Sequence, residues 1–293
     1  MSADQHPATI DTFVTDAWRF RRYEPPGEPR GIIVCLHGIQ SHGGWYEYSS
    51  KKLCAAGFRV YYLDRRGSGL NEKARGDSPS FGRLLEDVAD FLRSPVVTGG
   101  SDKRALPVFL HALSWGGKLA VALQRWQSGL IDGLILLCPG LFPRVGVSLL
   151  TRLRILAARM RSPTRLFPIP LNDPELFTES PRWREFIRND PLALRQATAR
   201  FMVESALLDR YLRKAPKYVT VPTLLLLAGQ DRVIRNDKTH HYFHKFATTD
   251  KNVITYAKAH HTLEFEPNPD IFLGEIIRWL DRQCKKAATE ARS

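Results

Sequence analysis

The chain has 293 residues, 43% of them hydrophobic and 25% charged, which is ordinary for a globular protein and suits one α/β domain carrying an insertion. No apolar run approaches the length of a membrane span, and the polar segment Met1 to Asp11 lacks the apolar centre of a secretory signal, so a cytoplasmic protein is expected. Its 43 basic and 30 acidic residues leave a net charge of +13; that balance favours polyanions, but no nucleic-acid motif accompanies it and no nucleic-acid partner is expected.

In chain order, Phe13 to Val14 and Trp18 to Tyr23 read as a leading antiparallel pair. Core strands are expected near residues 31–36, 59–63, 107–113, 133–138, 222–228 and 252–258. Helices are expected near 46–56, 80–93, 116–127, 238–246 and 271–284. Aliphatic strands alternating with helices are the signature of a mostly parallel sheet covered on both faces. The rhythm breaks over 141–216, a helical, proline-punctuated interval. The chain therefore divides into a core (1–140 and 217–293) and a helical insertion (141–216). Between Asp132 and Asp173 there is no acidic residue, while Arg144, Arg152, Arg154, Arg159, Arg161 and Arg165 fall there. Gly146 to Arg161 sets apolar residues at helical spacing among arginines. Such a helix either packs its apolar face on its own domain or lies on an anionic membrane, a peripheral contact.

The most chemical segment is Pro107 to Ala120. An apolar strand ends at Ser114, and Gly116 and Gly117 open a helical run at once. A serine on such a turn has its hydroxyl pushed out of the sheet, and the N–H of the next residue faces whatever it attacks. The small residues at Ala112, Gly116 and Gly117 let the turn pass close to neighbouring elements. Asp231 follows the buried run Val221 to Gly229, and His261 follows the strand Asn252 to Ala259. A serine needs a base, and the base needs a carboxylate to fix its tautomer. The order Ser114, Asp231, His261, each at a strand end, is that of the α/β-hydrolase triad. Asp237 fits a helix cap better than a triad acid, and His260 is expected to turn aside. Upstream, Gly31 to Leu36 runs into His37-Gly38-Ile39. By position, the N–H groups of Ile39 and Trp115 form the oxyanion hole, and His37, Gly38 and Trp45 are expected beside the substrate. Cys35, Cys54, Cys138 and Cys284 are scattered, as in small core residues of a reducing compartment. His240, His241 and His244 lack the glutamate of a His-Glu-x-x-His motif, so neither metal nor cofactor is expected.

With these residues in hand, the chain from about Trp18 to Leu280 resembles the α/β-hydrolase family, in its monoacylglycerol lipase and lysophospholipase branch, also labelled serine aminopeptidase S33-like. That branch typically runs His-Gly-x-x-Glu-His-x-x-Arg-Tyr in the oxyanion loop. Here His42 and Tyr46 match, but Ser41 holds the Glu position and Trp45 the Arg position. Glu264 stands where the branch often has a second histidine. The missing residues are ones the family uses around a glycerol head group. The resemblance implies a mostly parallel sheet with a helical cap. It also implies a serine hydrolase of carboxylic esters with an apolar acyl chain, such as a lysophospholipid or a medium-chain glyceride, acting through an acyl-enzyme. Leu149, Leu150, Leu153, Leu166, Phe167, Phe177 and Phe201 are candidates to wall the acyl pocket. Amide hydrolysis, acyl transfer, or a non-catalytic binding protein on the same fold are the rival readings.

Overall fold

A computed structural model describes residues 19–100 and 106–290; the expected pair at Phe13 to Val14, and Trp18, lie outside them. Seven strands form one sheet: β1 (Arg19–Tyr23), β2 (Ile32–Leu36), β3 (Arg59–Asp64), β4 (Val108–Leu113), β5 (Gly133–Leu137), β8 (Thr223–Ala228) and β9 (Lys251–Tyr256). Their order across the sheet is β1-β3-β2-β4-β5-β8-β9. Within this sheet only β1 is antiparallel to its neighbour; the other six strands run parallel. The helices are α1 (Glu47–Ala55), α2 (Phe81–Arg93), the short α3 (Pro95–Thr98), α4 (Trp115–Trp126), α8 (Asn236–His244) and α9 (Asp270–Glu290). This is the α/β-hydrolase fold that the alternation predicts.

The central strands β2, β4, β5 and β8 are buried at every position. Helices cover both faces of the sheet there, so neither face needs polar side chains. At the edge, β9 has no fully buried position, and its Asn252 and Thr255 are exposed. Helix α2 is capped by the Ser80 side chain, which accepts from the Arg83 N–H at 3.0 Å; that contact is worth about 1 kcal/mol. Its apolar stripe, Leu84, Leu85, Val88, Phe91 and Leu92, is buried.

Between β5 and β8 the chain leaves the sheet. It forms α5 (Leu149–Arg161), β6 (Leu166–Pro168), α6 (Pro181–Asn189), β7 (Gln196–Thr198) and α7 (Ala199–Leu212). The interval is therefore not wholly helical: β6 and β7 pair antiparallel, Phe167 opposite Ala197. Three-residue strands, one ending in proline, carry no usable alternation. Ile155, Ala158, Phe167 and Ala199 make a small core of their own there. Among the described residues, no helix is long and apolar enough to cross a membrane.

Candidate active site

Parallel strands aim their C-terminal ends at one edge of the sheet, where open α/β folds collect functional groups. Ser114 sits at that edge between β4 and α4, with φ 50° and ψ −121°. A side-chain-bearing residue there costs on the order of 1–3 kcal/mol and persists only where its surroundings over-determine it. Here they do. The Ser114 N–H donates to the Leu137 carbonyl at 3.0 Å, and the Ser114 carbonyl accepts from Gly117 and Gly140 at 2.9 and 2.7 Å. The glycines are steric necessities. A Cβ on Gly116 would stand 2.6 Å from the Leu36 carbonyl oxygen, and one on Gly117 2.6 Å from Pro139 Cβ.

His261 reaches this serine from the turn after β9. Its Nε2 lies 2.9 Å from Ser114 Oγ, and its Nδ1 lies 2.7 Å from Asp231 Oδ2. Asp231 Oδ1 accepts from the N–H groups of Val233 and Ile234 at 2.7 and 2.9 Å. Burial alone would raise the Asp231 carboxyl. The charge and hydrogen bond of His261, with those two N–H groups, hold it below its usual range instead. The carboxylate then accepts from Nδ1–H, which leaves Nε2 to face the serine. Asp237 lies in the first turn of α8. His260 turns the other way: its Nδ1 is 3.1 Å from Glu266 Oε1, and its Nε2 3.2 Å from Glu179 Oε1.

The loop after β2 closes against this group. A Cβ on Gly38 would stand 3.3 Å from Ser114 Cβ and 3.2 Å from Ser41 Oγ, so the loop passes tightly against the serine. Among the described residues, neither the Ile39 nor the Trp115 N–H donates to a protein acceptor. A cavity of about 630 Å³ opens on Ser114, Trp115 and Ile39. That volume is within the range of small-molecule sites. Its apolar wall includes Val147, Ile155, Leu156, Ile169, Phe201 and Met202 from the insertion. Lys118, paired with Asp209 at 2.6 Å, and Arg152 add charge to the lining.

Several expected substrate contacts are elsewhere. His37, Gly38 and Trp45 do not line the cavity. His37 Nε2 accepts from the Arg65 N–H at 3.0 Å, so its proton is on Nδ1, 2.6 Å from the Gly38 carbonyl. Burial, with the charge of Arg65, keeps that ring neutral well below the usual histidine range. Trp45 is buried against Phe177, Phe186 and Phe265, and its Nε1–H donates to Asp190 Oδ2. Of the seven apolar residues expected to wall the pocket, Phe201 does. Leu149, Leu150 and Leu153 are exposed, and Leu166 is half exposed. Phe167 is in the small insertion core, and Phe177 packs edge-on against the His261 ring.

Four further residues stand close to the site. Arg65, at the end of β3, donates from Nη1 to the Gly38 carbonyl at 3.1 Å and from Nη2 to the Ile39 carbonyl at 2.8 Å. Loss of hydration pushes its pKa down to about 9, with Asp64 opposing, so it stays cationic at neutral pH. Its position just past a strand end was a signal available in the sequence. Asp190 joins the insertion to the loop after β2 through His42 at 3.0 Å as well as Trp45; nothing in its local sequence marks it. Cys138 is the third member of a buried group with Asp231 and His261, their ligand atoms within 4.8 Å of one another. Burial, then the Asp231 charge, pushes its thiol up, and the other two members are already bonded in the chain to Ser114. Glu264 points its Oε1 at the Ser49 N–H of α1, at 3.0 Å.

A family model described as serine aminopeptidase, S33, matches residues 27–268. The chain is 26% identical over 274 residues to the monoacylglycerol lipase of Mycolicibacterium smegmatis, covering 91% of this chain and 92% of that one. It is 27% identical over 279 residues to the Homo sapiens monoglyceride lipase, covering 92% and 88%. A soluble variant of the Saccharomyces cerevisiae monoglyceride lipase, solved with a substrate analogue, superposes with a TM-score of 0.81 at 17% identity, covering 97% of this chain and 98% of that one; at that identity the likeness is one of fold. With the sheet order, the strand-end serine and a match over most of its length, the chain belongs to the α/β-hydrolase family described as serine aminopeptidase, S33.

Proposed function

We propose that this chain is a lipase-type hydrolase that cleaves carboxylic esters through an acyl-enzyme on Ser114. The observation that carries this reading is the continuous hydrogen-bond chain Asp231–His261–Ser114 opening onto a largely apolar cavity. The relatives named as lipases support the ester class. His261 Nε2 takes the Ser114 proton as Oγ bonds to the ester carbon, and the carbonyl electron pair moves onto oxygen. The N–H groups of Ile39 and Trp115 receive that oxyanion; one such donor is worth about a hundred- to a thousandfold in rate. The carbonyl then re-forms, the C–O bond to the alcohol breaks, and the alkoxide takes the proton from His261. Water, deprotonated by His261, then attacks the acyl-serine; as that carbonyl re-forms, the bond to Oγ breaks, Oγ takes the proton back from His261, and the acid leaves. The reaction calls on neither metal nor cofactor.

In this reading, residues 141–216 act as a cap whose apolar side chains hold the acyl chain. The substrate is a lipid ester with one acyl chain, a lysophospholipid or a medium-chain glyceride. Ser41, Trp45 and Glu264 replace the polar residues of the lipase branch, so the head-group contacts differ from that branch. The arginines and exposed leucines of α5 supply a peripheral contact with anionic membrane.

The test is active-site labelling with a panel of p-nitrophenyl and glyceryl esters of varied chain length. A fluorophosphonate is expected to label Ser114 alone, and Ser114→Ala to lose labelling and about four or more orders of magnitude of esterase activity while staying folded. Labelling that persists in Ser114→Ala would refute the assignment. Turnover of amides or acyl transfer to alcohols, without ester hydrolysis, would overturn the ester class alone.

A further inference from the structure

We propose that Arg65 is a positioning residue that sets the oxyanion hole, by holding the Gly38 and Ile39 peptides in the one orientation that turns the Ile39 N–H toward the reacting carbonyl. This rests on the reading of Ser114 as nucleophile. The physical reason is the planarity of the peptide. In a trans peptide the C=O of one residue and the N–H of the next point in opposite directions, and no cis bond occurs among the described residues. Whatever grips the Gly38 carbonyl therefore fixes where the Ile39 N–H points. Two donors grip it: Arg65 Nη1 at 3.1 Å and His37 Nδ1–H at 2.6 Å. The second arm of the guanidinium holds the next carbonyl, that of Ile39, at 2.8 Å. Two successive peptides bound by one rigid fork cannot rotate independently. Gly38 itself supplies no side chain to hold this peptide, and it passes tightly beside Ser114 Cβ. A glycine peptide is the one most free to flip.

The same guanidinium reaches the other side of the hole. Arg65 Cζ lies 4.9 Å from the centroid of the Trp115 ring and 5.6 Å from that of Phe201. Trp115 and Phe201 are themselves stacked at 5.3 Å, and Trp115 Nε1–H donates to Ser205 at 3.0 Å. One side chain thus touches both residues whose N–H groups define the hole. Both bonded arms end on carbonyls of the loop. A partly buried cation whose bonded arms meet carbonyl dipoles and aromatic faces, with no carboxylate at either, is an expensive arrangement. It is explained if the cation's task is to orient those carbonyls and polarise the peptides behind the N–H donors. Arginine is required because a lysine can engage only as a point charge, whereas the planar fork holds two acceptors at once.

The test compares Arg65→Met, which keeps an apolar stem and removes both arms, with Arg65→Lys, which keeps the charge and loses the fork. The readouts are kcat and KM on a short p-nitrophenyl ester, and the inhibition constant of an alkyl trifluoromethyl ketone. Ser114 oxygen adds to that ketone's carbon, its proton passes to His261, and the carbonyl electron pair becomes the oxyanion, so binding reports on the hole. For Arg65→Met we expect kcat to fall about 10- to 100-fold, KM to change less than about threefold, and the ketone constant to rise by about the factor lost in kcat. Arg65→Lys should fall between it and the wild type. A general loss of packing would lower the melting temperature without this match between kcat and ketone affinity. A folded Arg65→Met with wild-type kcat, or one that loses kcat but keeps its ketone affinity, overturns the proposal. If Arg65→Met does not fold, Arg65→Lys decides by the same comparison, and wild-type values there overturn it. A wild type that is neither labelled by fluorophosphonate nor active on any ester overturns the hydrolase reading and this one together. A labelled, active wild type matched by its Arg65 variants overturns only this one.

Discussion

Two adjacent histidines in one turn have opposite surroundings, and that contrast defines the residue scale of this site. His261 faces Asp231 and Ser114, whereas His260 faces Glu266 and Glu179. His261→Ala is expected to lose nearly all esterase activity, and His260→Ala to keep a substantial fraction, measured on one ester. The reverse order would exchange their roles. The same logic separates Asp231 from Asp237. Asp231→Asn should cost up to about 10⁴ in kcat, because an amide permits the wrong tautomer, while Asp237→Asn should cost little. Glu264 offers a prediction about stability. Its carboxyl is buried and is pushed up to about 8 despite the Ser49 and Tyr48 N–H groups, and its Oε2 has no partner among the described residues. In the unfolded chain it titrates near 4.5. The folded protein therefore holds a proton that the unfolded chain gives up, and Glu264 weakens the fold progressively as pH rises from about 4.5 to about 8. Glu264→Gln should leave the melting temperature unchanged at pH 4 and raise it by about 2–4 °C or more at pH 8.5. Equal shifts at both pH values would show that burial of the charge is not the cause.

At the scale of the element, α5 is marked by the large apolar side chains it leaves in water. Its buried side is only Ile155 and Ala158. Leu149, Leu150, Leu153, Leu156 and Met160 are exposed, Met160 at 88% and Leu149 at 73%. Large apolar side chains this wet, interleaved with arginines and with no acid in the segment, have the make-up of an interfacial helix. Ile155 and Leu156 also line the cavity on Ser114, so a surface bound by α5 lies beside the mouth of that cavity. The protein should bind vesicles of phosphatidylglycerol and not of phosphatidylcholine, and added salt should weaken the binding. Each basic residue near such a surface is worth about 1 kcal/mol. Arg154→Glu with Arg161→Glu, which spares the cavity residue Arg152, should therefore reduce binding by at least about thirtyfold in co-sedimentation. Binding unchanged by the double reversal would assign the exposed face to something other than an anionic membrane.

At the scale of the molecule, the insertion and the core are joined at charged and polar points as well as by packing. Asp190 accepts from His42 and Trp45 of the loop after β2, and the Leu194 N–H donates to the Gln40 carbonyl at 2.9 Å. Asp77 of the core accepts from Thr198 and pairs with Arg200 of α7. The loop after β2 is thereby held by the insertion at Gln40, His42 and Trp45. Asp190→Ala leaves buried donors of His42 and Trp45 unpaired, which should cost about 1–3 kcal/mol in urea unfolding. It should also raise KM as the insertion loosens over the cavity. A variant as stable as the wild type would show that solvent or a neighbour replaces the carboxylate.

The sheet was legible in the chain because its central strands are continuous aliphatic runs, as burial on both faces demands. The strand-end serine was legible because a sharp turn needs Gly116 and Gly117 beside it. The order of Ser114, Asp231 and His261 follows from the order of the strands that carry them. What periodicity cannot say is what covers a face. It grouped Leu149, Leu150 and Leu153 with Phe201 as pocket candidates, but the packing of α5 left the first three in water. Nor can local pattern say where a loop side chain points. Arg65 grips carbonyls 26 and 27 residues earlier, and Asp190 reaches a tryptophan 145 residues away. Those directions are set by the close approach of distant segments, and only the tertiary structure decides them.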